Sequence, residues 1–174
     1  MKLPLKTTLA GVLAGFYAAP ALSAGLAIEV EVPRIEVAEY HRPYVAVWLQ
    51  SADRKVVRDI AVWYDYKMAK EEGKKWLKDL RQWWRVSGRN QTELADGVTG
   101  ATQAVGKHTI KVAADHPALK DLPAGEYELL VEASREKGGR EVVRLPLAWP
   151  AKAPQQVDAE GQTELGRIQA SVTP

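Results

Sequence analysis

The segment Asp96–Thr102 reads DGVTGAT and gathers one carboxylate, two threonine hydroxyls and two glycines in a short run. Asp-Gly and Thr-Gly pairs are ordinary turn chemistry, and a turn between two elements is the plain reading. The pattern D-x-x-[ST]-G-A-T, however, has five positions fixed or nearly so. Average residue usage yields such a match by chance in a chain of this length about once in a few thousand cases. That rarity favours a specific role for Asp96, Thr99, Gly100, Ala101 and Thr102 over a generic turn.

No other reactive set competes with it. The chain has no cysteine, which excludes a disulfide, a thiolate metal site and a c-type haem attachment. His41, His108 and His116 lie far apart, and none has a second ligand at HExxH spacing, so each reads as a surface or hydrogen-bonded histidine. There is no GxSxG elbow and no P-loop. Hydrolysis therefore has no nucleophile and base to name.

The elements that must position the motif are mostly strands. LAIEVEV alternates Ile28, Val30 and Val32 with Glu29 and Glu31, the period of a half-buried strand. PYVAVWLQ and VVRDIAVWYD follow, joined by ADRK as a hairpin loop. KHTIKVAA, EYELLVEASRE, REVVRLPLAW and LGRIQASV complete seven strands, with KGG as a second hairpin turn and PAKAPQQVDAEGQ as a linker. One segment differs. In EEGKKWLKDLRQWWRVSG the residues Trp76, Leu77, Leu80, Trp83 and Trp84 form a helical apolar stripe, and Gly88 is a plausible stop. The expected fold is mainly β: an immunoglobulin-like β-sandwich of about seven strands with one inserted amphipathic helix directly before the motif.

Residues 1–24 read as a signal peptide. Lys2 and Lys6 precede a short apolar run, and the small residues of ALSAG offer a cleavage site. That run is well short of the ~20 residues a membrane span needs. The segment carries two of the 24 basic residues and none of the 22 acidic ones, so residues 25–174 are formally neutral. A neutral domain gives no global reason to expect nucleic-acid binding. About 150 residues suit one domain, exported and most simply periplasmic.

The motif resembles the acceptor sequence of exported flavin transferases, which attach flavin mononucleotide (FMN) covalently to periplasmic proteins. The resemblance implies that Thr102 carries the flavin phosphate as a phosphoester, with Asp96, Thr99, Gly100 and Ala101 in the motif's other positions. The residue types suit that chemistry, because a glycine and an alanine leave the acceptor hydroxyl uncrowded for in-line attack. A flavin tethered through threonine also needs no thiol. Trp83 and Trp84 are the nearest aromatic residues in sequence to receive the isoalloxazine ring, core packing on the apolar stripe being the alternative for both. Arg81, Arg85 and Arg89 are available to phosphate or to an anionic reduced flavin, a solvated helix face being their alternative.

Over nearly all of residues 25–174 the chain is similar to a periplasmic family classed as a domain of unknown function. The segment HPALKDLPAGEYELLVEA is also similar to the immunoglobulin-like domain of flagellar hook-capping proteins. The family resemblance implies an FMN transferase and a membrane-bound PepSY-type reductase as partners. The expected function is that of a non-enzymatic flavin electron carrier. The alternative is a non-redox immunoglobulin-like binding module, in which DGVTGAT is only a turn.

Overall fold

The computed structural model describes residues 25–95 and 97–174. The expected signal peptide and Asp96 lie outside the described residues. β1 (Gly25–Val32) and β2 (Tyr44–Ser51) are followed by β3 (Val57–Trp63), a 3-10 segment (Ala69–Asp79) and α1 (Arg81–Val86). Then come β4 (Thr99–Gly100), β5 (Gly106–Ala113), β6 (Gly125–Ser134), β7 (Arg140–Trp149), β8 (Gln155–Glu160) and β9 (Arg167–Thr173). The strands form a four-stranded sheet in the order β5-β1-β9-β8 and a five-stranded sheet in the order β4-β3-β2-β6-β7.

The expected β-sandwich is therefore present, with nine strands among the described residues instead of about seven. The two additional strands are β4, two residues inside the motif, and β8, inside the segment read as a linker. β8 alternates half-buried and exposed residues without a large apolar side chain beyond Val157, so periodicity gave it little signal. Its pairing with β9 supplies the order.

The main core lies between the sheets. Leu26, Ile28 and Val30 of β1 face Val45, Val47 and Leu49 of β2 and Leu129 and Val131 of β6, all nearly inaccessible to solvent. Full burial of each such side chain contributes roughly 1.5–3 kcal/mol. Tyr127 Oη donates to the Pro123 carbonyl at 2.7 Å, a corner of the kind found in immunoglobulin-like sandwiches.

A second core lies on the other face of the five-stranded sheet. Ala46, Trp48, Val62, Tyr64 and Leu130 point outward there and are covered by Leu77, Leu80, Trp83 and Val98. β2 is consequently apolar on both faces, as a strand covered by two layers must be. The inserted segment covers this outer face as a lid.

The lid is not one continuous helix. Leu80 sits at φ −74°, ψ 70°, between the 3-10 segment and α1. The buried carboxylate of Glu132 on β6 accepts from the backbone N–H of Gln82 and Trp83, at 3.0 and 2.7 Å. A carboxylate satisfying those two donors starts a new helix there. The expected stripe is divided by the break: Leu77, Leu80 and Trp83 are buried, Trp84 is half-buried, and Trp76 is 49% exposed.

Candidate functional site

The motif's local structure follows from its two glycines. Gly97 has φ +83°, a left-handed conformation that glycine adopts without strain. The turn lets Val98 drop into the second core. Val62 N then donates to Val98 O at 2.8 Å and Tyr64 N to Gly100 O at 3.0 Å, which lays Thr99 and Gly100 parallel to the end of β3. A side chain on Gly100 would meet the Trp63 indole, its Cβ lying 2.8 Å from Cδ1. The motif is thus partly an edge strand and not wholly a loop. Beyond Gly100 the chain leaves the sheet: Ala101 is exposed and Thr102 is half-buried.

Thr102 lines a cavity of about 680 Å³ at one end of the sandwich, within the size range of small-molecule sites. Its walls come from four other places in the chain. The β1–β2 connection gives Tyr40, His41 and Arg42, with Tyr44 at the start of β2. The segment after β3 gives Asp65 and Met68, and the 3-10 segment gives Trp76 and Asp79. The β6–β7 turn closes the site with Ser134, Arg135, Glu136 and Lys137.

Several of these groups are held in place. Arg135 and Glu164 form a buried two-point ion pair, Nε to Oε2 at 2.8 Å and Nη2 to Oε1 at 3.1 Å. That hydrogen bond holds the guanidinium above its ordinary range despite burial. His41 stands between Glu39 at 3.0 Å and Glu136 at 3.5 Å. The Lys137 ammonium donates to Glu39 at 2.8 Å, and this bond, followed by the one from His41, holds the Glu39 carboxyl below its usual range.

Two phenols stand in the cavity wall. Burial is the main force pushing both the Tyr40 and the Tyr44 hydroxyls up. The Tyr40 hydroxyl is buried and has no hydrogen-bond partner among the described residues, an unusual condition for a buried polar atom. Tyr44 meets Tyr64 edge-on at 6.2 Å, and Tyr64 meets Tyr66 in the same way at 6.3 Å.

The structure brings Thr102 together with Trp76, Tyr40 and Tyr44. Trp83 and Trp84 do not line this cavity. Trp83 is 1% exposed in the second core, and its Nε1 donates to Asp59 at 2.9 Å. Arg81, Arg85 and Arg89 are exposed and are also absent from its walls. Arg85 instead lines a separate cavity of about 220 Å³ with Arg54, Arg140 and Arg144. Thr99 borders a smaller hollow with Tyr64 and Tyr66.

Sequence reasoning missed Tyr40, Tyr44 and Trp76 as wall residues. Trp76 was visible in the apolar stripe, but it lies in the 3-10 segment, where i and i+3 share a face: Leu77 goes with Leu80 into the second core and Trp76 with Asp79 into the cavity wall. Tyr40 and Tyr44 lie far from the motif in sequence and share no spacing with it.

No curated protein and no solved structure matches the chain. Residues 25–167 match the family described as predicted periplasmic protein (DUF2271), and the chain belongs to that family.

Proposed function

We propose that the protein is a periplasmic electron carrier with FMN joined to Thr102 through a phosphoester. The observation that carries this reading is the presence of a complete D-x-x-[ST]-G-A-T motif whose last threonine opens into an aromatic cavity of suitable size. Formation of the bond is a group transfer catalysed by an FMN transferase. The Thr102 hydroxyl oxygen attacks the flavin-side phosphorus of a flavin adenine dinucleotide. The new P–O bond replaces the pyrophosphate bond, adenosine monophosphate departs, and the hydroxyl proton leaves with a base of the transferase.

The chain's contribution is presentation. Gly97 and the β3–β4 pairing fix where the strand ends, Gly100 admits the Trp63 indole, and the small, exposed Ala101 leaves the neighbourhood of the hydroxyl uncrowded. The donor set of the cavity fits a flavin: aromatic faces, neutral phenols and cations in one wall. A bound flavin supplies one- and two-electron transfer. The residues around Thr102 would exclude water from it and orient it, with a membrane-bound PepSY-type reductase as the exchange partner.

The test is the intact mass of residues 25–174 coproduced with an active FMN transferase. The expected result is an increment of one flavin mononucleotidyl group on the Thr102 peptide, absent from Thr102→Ala. An unchanged mass, in cells where the same transferase modifies a control acceptor, would sink the proposal.

A further inference from the structure

We infer that the cavity beside Thr102 is a seat for the flavin ring itself, with Trp76 as its principal stacking face. The inference rests on the flavin reading for its ligand, but it concerns binding and not attachment.

The exposure pattern supports it. Among the large apolar side chains that the fold leaves exposed, Met68 and Trp76 both face this cavity, at 40% and 49% exposure. Among the described residues, this half-exposed indole beside a concave, partly polar wall has no aromatic or hydrogen-bond partner. A planar heteroaromatic ring would cover it, and stacking favours an electron-poor ring on an electron-rich indole. Tyr44 offers a second aromatic surface and Tyr40 a buried hydroxyl without a hydrogen-bond partner among the described residues.

Charge supports the same occupant. Lys137 and Arg135 in the wall are paired with Glu39 and Glu164. Arg42 has no ion pair among the described residues and lines the cavity. A free guanidinium suits the anionic end of a phosphorylated ligand. Thr102 opens into the same space, so a ring on a phosphoester tether starts at the cavity's edge. The neighbouring hollow beside Trp63 and Gly97–Gly100 is smaller, about 430 Å³, and Thr102 does not line it.

The test compares flavin fluorescence in folded and denatured flavinylated protein for the natural chain and for Trp76→Ala, Trp76→Phe and Trp84→Ala. A seated ring is quenched in the folded natural chain and in Trp84→Ala. In Trp76→Ala the folded-state emission rises several-fold, and Trp76→Phe restores part of the quenching. Equal emission before and after denaturation of the natural chain, or quenching lost in Trp84→Ala and retained in Trp76→Ala, overturns the inference. Free riboflavin titrated into the unmodified Thr102→Ala chain separates the two proposals. It should be quenched on binding, and the additional Trp76→Ala change should weaken that binding about tenfold. A binding curve indifferent to Trp76 overturns the seat whether or not the mass experiment shows attachment. A Trp76-dependent curve with no mass increment supports the seat and removes the tether.

Discussion

Gly100 packs against the indole of Trp63, and a Cβ at that position would stand 2.8 Å from Trp63 Cδ1. The indole belongs to the main core, so it cannot swing away without opening a gap. Gly100→Ala should therefore separate β4 from β3 or displace the indole, at about 1–3 kcal/mol by overpacking. Urea denaturation gives the stability change. Flavin attachment at Thr102 should fall in the same variant, because the acceptor's position depends on where β4 ends. Ala101→Gly, at an exposed position, serves as a control for stability alone, because Ala101 is itself a motif position.

At Thr102 the hydroxyl and the fold are separable. The residue is half-buried at the mouth of a cavity and belongs to neither core. Thr102→Ala should keep stability within about 0.5 kcal/mol while abolishing the mass increment. Thr102→Ser retains a hydroxyl and should remain modifiable, more slowly if the methyl group helps to orient the oxygen. Mass spectrometry after timed exposure to the transferase measures both. A modified Thr102→Ala chain would place the acceptor elsewhere.

The sandwich was legible because its strands carry strong alternation. Ile28, Val30 and Val32 reach the core as their spacing implied, and the two expected hairpins are formed by β2–β3 and β6–β7. The inserted helix was legible only in part. Its apolar spacing is real, but the interruption depends on Glu132, some fifty residues later in the chain, and no local pattern announces a capping group supplied by another strand. The motif was legible as a string of residue types. Its cavity was not, because Tyr40, Trp76 and Lys137 converge only when the β1–β2 connection, the lid and the β6–β7 turn meet.

That distant cap makes a prediction about the lid. Glu132 is fully buried, receives the N–H groups of Gln82 and Trp83 and pairs with Arg140 at 2.9 Å. Glu132→Ala leaves those donors buried without an acceptor, at a cost of about 2–4 kcal/mol. Glu132→Gln keeps one acceptor oxygen and should cost less. Hydrogen exchange should locate the damage in residues 81–86, with the strands of the four-stranded sheet unaffected below the global unfolding limit. Uniform acceleration throughout the protein would show that the lid and the sandwich unfold as one unit.

Glu141 links pH to the back of the cavity. Its Oε1 accepts from the Gln162 N–H at 2.6 Å, and its Oε2 from the N–H groups of Thr163, Glu164 and Leu165 at 3.0, 2.8 and 2.9 Å. Burial alone would raise this carboxyl, but the four backbone donors together outweigh it and hold it below its ordinary range. A lowered folded-state pKa means that the unfolded chain binds the proton more readily. The stabilisation is thus complete above the unfolded value of roughly 4.3 and is lost as pH falls through the lower folded value. The exposed Glu39 and Asp53 carboxyls, lowered by bonds from Lys137 and Ser51 respectively, act in the same direction but should fade as salt screens them. Urea midpoints in high salt should therefore still fall with acid in the natural chain and fall less steeply in Glu141→Gln, whose amide also turns an N–H₂ toward backbone donors. Since the Glu141 carboxylate shapes the loop that carries Glu164, and Glu164 holds Arg135 in the cavity wall, acid should loosen that wall before it unfolds the sandwich. In flavinylated protein this would be seen as flavin emission rising at a higher pH than the loss of far-ultraviolet circular dichroism, and coincident transitions would show that the loop gives way only with the whole fold.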